Sequence, residues 1–378
     1  MRAILLYLAV FLMSHNVLAE PNYRWIDVCE DKTVEINGLP WFSENEGRYI
    51  RLPLSGKDEI SAAAWEMSLC PSTARVRFKT NSSVLAVKID HGMFTEKGQE
   101  DVWHMSDGSR LSMWHMSAVG VSGIDLYIGE PGKQSFWKAS RAMKEDGEYT
   151  HTYFKGFSDE IREFTLYLPA YAQLKTLKIG IMPDAEFLPP TAYKIQKPMV
   201  VYGTSITQGG CSSRGSNNFM GILERRMNAD VVNLGFSGSG LGEPIMAELM
   251  SEIEASVYMV DSVANMSPEV MEQNYENFVR ILRKNRPETP VVLMTKPHYG
   301  TEIQPFMAEY YVKQHKVLFE TYDKLKSEGD EKVYLFDTGK FIQAGGDHPS
   351  VDGTHLTDVG YYKIADGLEP VLREIIGL

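Results

Sequence analysis

Five times between residue 199 and the C-terminus, a short apolar run gives way to a longer stretch with helical character. The runs cover residues 199–202, 230–234, 256–260, 290–294 and 332–336. The stretches after them cover 217–227, 243–254, 268–284, 306–326 and 359–375. Pro268 opens the third of these near its first turn, where a missing N–H costs nothing. Five such strand-helix repeats imply a parallel sheet covered by helices on both faces. Right-handed crossovers then make a doubly wound sandwich, with its working residues in the loops at the carboxyl ends of the strands.

The chain before this region reads differently. Residues 20–182 look all-β, with strands expected over 75–79, 83–89, 124–128, 163–168 and 174–182. Arg75-Val76-Arg77-Phe78-Lys79 alternates polar and apolar residues, as a half-buried strand does. Clusters such as Glu130-Pro131-Gly132 separate the strands, so a sandwich or jelly roll is expected. Pro183, Pro189, Pro190 and Pro198 break regular structure over 183–198, which reads as a linker with the boundary near residue 195. A short, proline-rich linker limits free excursion, so the first domain is expected to dock on the carboxyl edge of the parallel sheet and narrow the site, with packing elsewhere or tethering to glycan as the alternative.

Residues 1–19 read as a signal peptide. Arg2 is followed by an apolar stretch over 3–13 and by Val17-Leu18-Ala19, which ends on a small residue suited to cleavage. That stretch is too short to span a bilayer, which takes roughly 20 residues. An exported protein is expected, periplasmic or secreted. No cysteine follows the cut to carry a lipid anchor. The three cysteines are Cys29, Cys70 and Cys211. Export permits a bridge between Cys29 and Cys70, and two free thiols fit the sequence equally well. Cys211 has no histidine or acid pattern around it and reads as a packing residue.

Four loops after expected strands carry residues that suit acyl transfer. Ser205 follows the first run in Val201-Tyr202-Gly203-Thr204-Ser205-Ile206-Thr207, a position where a serine also commonly caps a helix. A serine hydroxyl needs a base to take its proton and a carboxylate to fix that base. Asp352-Gly353-Thr354-His355 supplies both. The neighbouring pair Asp347-His348 is the rival, but adjacent side chains project apart. Gly238, in Asn233-Leu234-Gly235-Phe236-Ser237-Gly238, offers a backbone N–H to an oxyanion, and Asn265 offers a side-chain amide. The backbone N–H of Ser205 would be the third donor. For Asn265 a turn before Pro268 is a competing role.

These four segments resemble the four blocks of the SGNH hydrolases, or GDSL-type esterases, which supply Ser, Gly, Asn and His with the acid three residues before the His. The resemblance runs from Val200 onward. It departs from Gly-Asp-Ser-Leu in the first block, which reads Gly203-Thr204-Ser205-Ile206, and places Ala264 where a glycine usually precedes the asparagine. Gly123-Ile124-Asp125-Leu126-Tyr127 is similar to the Gly-x-Asp-Leu-Tyr signature of a β-sandwich domain that precedes one bacterial branch of that superfamily. The resemblance implies a jelly-roll-like β-sandwich followed by a flavodoxin-like five-stranded α/β/α hydrolase domain over 199–378. It implies an exported esterase acting on short-chain, chiefly acetyl, esters of carbohydrates, with Ser205, His355 and Asp352 catalytic and Ser205, Gly238 and Asn265 as the oxyanion hole. A thioesterase or lysophospholipase with the same residues is the alternative, as is a non-catalytic glycan-binding protein.

The net charge of −12, with no basic cluster, argues against nucleic acid and anionic membrane surfaces as partners. No cofactor is expected, and no metal. His91, His104 and His115 lack ligand spacing, and no cysteine pair accompanies them. Gly235–Gly242 lacks the spacing of a nucleotide fingerprint. Trp103-His104, Trp114-His115 and Trp137 make an aromatic tract suited to sugar rings or, more commonly, to core packing. His298 and Tyr299 end the fourth run and are candidate substrate contacts.

Overall fold

In the computed structural model, residues 22–91, 115–140 and 148–378 are described. The signal-like segment, Trp103, His104 and Trp114 lie outside them. The N-terminal strands are β1 (Arg24–Asp27), β2 (Glu35–Asn37), β3 (Arg75–Thr80), β4 (Val84–Asp90), β5 (Asp125–Ile128), β6 (Ser135–Ala139), β7 (Tyr149–Lys155), β8 (Arg162–Tyr167), β9 (Thr176–Ile181) and β10 (Phe187–Leu188). They form two antiparallel sheets, ordered β1-β9-β4-β7 and β10-β3-β8-β5-β6, with β2 beside β3. Alternate residues from both sheets, among them Val76, Phe78, Val87, Ile89, Leu126 and Ile179, meet in one core. That is the two-sheet sandwich expected from the turn-separated runs.

Two short helices interrupt the sandwich, α1 (Ala62–Ser68) and α2 (Ala118–Ser122). Ser61 and Ser117 cap them, accepting from the N–H groups of Ala64 and Gly120. The strand expected to be half-buried is buried on both faces. Arg75 and Arg77 of β3 are wholly covered, Arg75 paired with Asp230 and Arg77 with Glu163 at 3.3 Å. Tyr193 lies over the Arg77 guanidinium at 3.9 Å. Arg75 therefore faces the second domain, and Arg77 faces Glu163 and the segment that leads into that domain, rather than water.

The second domain alternates as its sequence requires: β11 (Ile195–Gly203), α3 (Ser205–Gln208), α4 (Phe219–Met227), β12 (Ala229–Gly235), α5 (Pro244–Glu252), β13 (Val257–Asp261), α6 (Pro268–Asn285), β14 (Val291–Met294), α7 (Pro305–Ser327), β15 (Val333–Phe336) and α8 (Asp358–Ile376). Proline opens α5, α6 and α7 at their first turn. The five strands are parallel in the order β12-β11-β13-β14-β15. Helices α4 and α8 cover one face through Phe219, Leu223, Tyr361 and Leu368. Helices α5, α6 and α7 cover the other, and Trp41, Ile50, Leu52 and Trp65 of the N-terminal region pack into that same core.

The N-terminal region also closes the edge of the parallel sheet. Strand β12 is outermost, and an open edge leaves carbonyls without partners. Arg51, fully buried, donates to the carbonyls of Asn233 at 2.9 Å and Gly235 at 2.6 Å, and Arg75 donates to that of Val231 at 3.3 Å. Docking thus runs along the whole β12 side and reaches the carboxyl ends, rather than resting on the carboxyl edge alone. Asp125 and Tyr127 of the Gly-x-Asp-Leu-Tyr segment belong to this junction. The Asp125 carboxylate accepts from the Ser216 N–H at 2.9 Å, and the Tyr127 hydroxyl meets Ser216 Oγ at 3.1 Å, just ahead of α4.

The stretch 183–198 contains β10, which pairs with β3, the buried Tyr193, and the first residues of β11. All three cysteines are free: Cys29 lies beside the Tyr49 hydroxyl at 3.2 Å, and Cys70 is buried. No helix among the described residues is long and apolar enough to cross a membrane.

Candidate active site

Ser205 is the first residue of α3, directly beyond the end of β11. The turn that presents it is held by a capping box. Thr204 Oγ1 accepts from the Ile206 N–H, and the Thr204 N–H donates to Thr207 Oγ1 at 2.9 Å. Thr204 thus performs at the N-cap what a short acid would. Thr207 Oγ1 in turn donates to Asp261 Oδ2 at 2.7 Å. Burial pushes the Asp261 carboxyl up to about 7, against the opposing pull of the Thr207 hydroxyl. Gly203 is required by the closeness of these groups. A Cβ there would strike Thr207 Oγ1 and would lie 2.7 Å from the Asp261 carbonyl oxygen.

His355 reaches Ser205 from the loop before α8. Its Nε2 lies 3.0 Å from Ser205 Oγ, and its Nδ1 lies 2.7 Å from Asp352 Oδ2. With the Nδ1 proton donated to Asp352, Nε2 keeps a lone pair directed at the serine hydroxyl. Asp352 folds back as the three-residue spacing predicts: its Oδ1 accepts from the N–H groups of His355 at 2.7 Å and Thr354 at 3.0 Å. Partial burial opposes its ionisation, but the His355 ring and these N–H groups outweigh it and hold the carboxyl down to about 2, against an ordinary 3.8. The contribution of this pair to stability is therefore complete above pH 3.8 and is lost as the pH falls through about 2.

The rival histidine is occupied elsewhere. His348 Nδ1 meets Ser350 Oγ at 2.7 Å, and Nε2 meets the His298 carbonyl at 2.9 Å. Both ring nitrogens of His348 serve the loop.

The loop after β12 lies against the Ser205 turn. The Phe236 N–H donates to the Gly203 carbonyl at 3.0 Å, and the Ser237 N–H to Gln208 Oε1 at 2.9 Å. Gly238 follows with φ of 68°, a left-handed conformation that a side chain would strain, and its N–H finds no acceptor among the described residues. The Ser205 N–H is likewise one of the first in a helix and has no intrahelical acceptor. Asn265 ends a short turn beyond β13, and its Nδ2 donates to the Phe236 carbonyl at 3.2 Å, tying the two loops together.

Tyr299 lies beside this turn, its hydroxyl 3.3 Å from the Ala264 carbonyl and its ring 3.7 Å from Lys296 Nζ. His298 is engaged on the other side, bonded to Glu302 at 2.8 Å and stacked on Tyr311 at 4.1 Å. Trp137 packs edge-on against Phe154 and Phe157 on an outer strand. His91 meets the Gln173 carbonyl at 2.9 Å.

Two neighbours of the site were not placed there by sequence reasoning. Tyr171, between β8 and β9, donates its hydroxyl to the Ser205 carbonyl at 3.1 Å. The ring of His115 lies 5.1 Å from that of His355. Nothing in the local pattern around either residue marks it, because each reaches the site through docking of the N-terminal domain. Cys211 packs with Met116, Val121, Ala170 and Tyr171. Burial, aided by the Asp352 charge, pushes its thiol up to about 12, so it is no thiolate nucleophile near neutral pH.

A parallel sheet with a serine, a histidine and an acid gathered at its carboxyl ends, behind a docked β-sandwich, is the architecture of a two-domain SGNH-type hydrolase. The profile of the GDSL-like lipase/acylhydrolase family matches residues 196–373, and that of the GxDLY domain, the N-terminus of SGNH-hydrolase-type esterases, matches residues 23–187. The chain belongs to the SGNH esterase family, in the branch with this N-terminal domain. No curated protein sequence matches it. Among solved structures it is similar to a GDSL-like lipase from Bacteroides ovatus, at 24% identity and a TM-score of 0.80, over 94% of this chain and 98% of that one. It is also similar to a salicylyl-acyltransferase from a tetracycline biosynthetic pathway, at 17% identity, a TM-score of 0.71 and coverage of 93% and 97%. A family two carbohydrate esterase from Cellvibrio japonicus matches at 12% identity, a TM-score of 0.60 and coverage of 94% and 98%. At these identities the likeness establishes the fold.

Proposed function

We propose that the chain is an exported serine esterase that removes short acyl groups, above all acetyl, from carbohydrates. The observation that carries this reading is the hydrogen-bonded line from Ser205 Oγ through His355 to Asp352, with spacings of 3.0 and 2.7 Å. Ser205 Oγ attacks the ester carbonyl while His355 Nε2 takes its proton. Asp352 holds the Nδ1 proton and stabilises the imidazolium. The N–H groups of Ser205 and Gly238, with the Asn265 amide, receive the negative charge on the former carbonyl oxygen. His355 then protonates the leaving alcohol. In the second half it activates water, which releases the acyl group and restores the serine. The signal-like residues 1–19 support export, and the structural likeness to a carbohydrate esterase supports a sugar ester as substrate.

Turnover of p-nitrophenyl esters is expected to be highest for acetate, lower for butyrate and far lower for octanoate. A maximum at eight carbons or longer would move the reading to a lipase or thioesterase. Release of acetate from acetylated polysaccharides tests the substrate class directly.

The division of labour is tested by substitution. His355→Ala is expected to lower turnover by at least about a thousandfold, because base and nucleophile act as one device. Asp352→Asn is expected to be damaging but less so, since the acid orients and stabilises without exchanging a proton with substrate. His348→Ala is expected to leave turnover near wild type. A lethal His348→Ala with an active His355→Ala would reverse the choice between the two acid-histidine pairs.

A further inference from the structure

The fold gathers three good metal donors that lie far apart in the sequence. His115 precedes α2, Cys211 follows α3, and His355 precedes α8. One ligand atom from each lies within 4.8 Å of the others. Tetrahedral zinc, with bonds of about 2.0–2.3 Å, needs its donors roughly 3.5 Å apart. Binding therefore requires the three side chains to draw together from a spacing of up to 4.8 Å.

The donor set is selective. Imidazole and thiolate together suit zinc and other soft ions rather than magnesium or calcium. Asp352 already holds His355 Nδ1, so Nε2 is the atom left to coordinate. This carboxylate–histidine arrangement is the one that orients and strengthens imidazole ligands at zinc sites. Cys211 is fixed at φ of 68°, and its side chain packs beside Met116, the residue after His115.

We propose that His115, Cys211 and His355 form an inhibitory site for zinc or a similar soft divalent ion. This rests on the reading of His355 as the base. A zinc ion bound to Nε2 occupies the lone pair that would take the Ser205 proton. On binding, the Cys211 S–H bond breaks, its proton leaves to solvent and an S–metal bond forms, with no change of oxidation state. The ion switches the enzyme off without touching the nucleophile, and a chelator switches it on again.

The test uses the full chain freed of metal with a chelator and then titrated with zinc chloride. At a zinc concentration about ten times the dissociation constant, hydrolysis of a small acetyl ester is expected to fall about tenfold. EDTA is expected to restore it. Cys211→Ser and His115→Gln are each expected to keep basal turnover and to raise the half-inhibiting zinc concentration by at least about tenfold. Equal inhibition of wild type and both variants would overturn the proposal, since the ion would then act elsewhere. Cobalt(II) gives a readout independent of turnover. The wild-type protein is expected to develop a thiolate-to-cobalt charge-transfer band that Cys211→Ser lacks. Absence of that band in wild type would overturn the site even if one variant failed to fold. If the band formed but no ester were hydrolysed, the metal site would stand and the esterase reading would fall.

Discussion

Ser205→Ala is expected to lower turnover of a small acetyl ester by at least about a thousandfold while leaving the melting temperature nearly unchanged. The two halves of this expectation come from different atoms. The proposed reaction uses Oγ, whose partner is His355 Nε2 at 3.0 Å. The fold uses the main chain of the same residue. Its carbonyl accepts from the Tyr171 hydroxyl at 3.1 Å and from the Gly210 N–H at 2.8 Å, and alanine keeps both bonds. Alanine also suits the first position of α3, because the cap comes from Thr204. Steady-state kinetics, thermal melting and fluorophosphonate labelling of the same two preparations check the result. Near-wild-type activity in the variant would reject Ser205. Cys211 would be a poor replacement, with its thiol held up at about 12.

Much of this site is legible in the sequence because its parts sit at ends of apolar runs. A parallel sheet collects such ends on one edge, so residues 150 positions apart in sequence, Ser205 and His355, become neighbours by architecture alone. The Asp352–His355 pairing was legible for a local reason, since three residues let a loop fold the acid back under its own histidine. The threonine in the first block was a departure whose role only the structure supplies, through the Thr204 and Thr207 capping box and its anchor on Asp261.

What stayed hidden is what depends on contact between the domains. The alternation over Arg75–Lys79 reads correctly as a strand, but periodicity cannot say whether the polar face meets water or another domain. Here Arg75 meets Asp230, a residue of β12, and is wholly buried. The stretch between β2 and β3 carries no strong period, and its Trp41, Leu52 and Trp65 serve a core built mostly by the other domain. His115 escaped for the same reason. Its spacing to other ligands is meaningless along the chain and becomes meaningful only when the sandwich brings it to His355.

The same dependence sets the second large expectation. A fragment beginning at Lys197 is expected to be insoluble, although it contains every residue assigned to the chemistry. The cut removes Trp41, Ile50, Leu52, Ile60 and Trp65 from a core they share with Tyr202, Val232, Leu234 and Phe236. Burying one such side chain is worth about 1.5–3 kcal/mol. Loss of five approaches the whole stability of a domain, about 5–15 kcal/mol. The cut also removes Arg51 and Arg75, which leaves the outward carbonyls of Val231, Asn233 and Gly235 open on edge strand β12. An uncovered edge beside an exposed apolar face invites aggregation. Tyr171 goes too, and with it the bond to the Ser205 carbonyl, so the Ser205 turn loses a support at the same time. The measurement is solubility and sedimentation of 197–378 beside 22–378, with turnover of a small ester where soluble protein is obtained. A soluble, monomeric fragment with full activity would mean that the junction is dispensable. Soluble protein with a large fall in turnover would instead assign the N-terminal domain to holding the Ser205 turn.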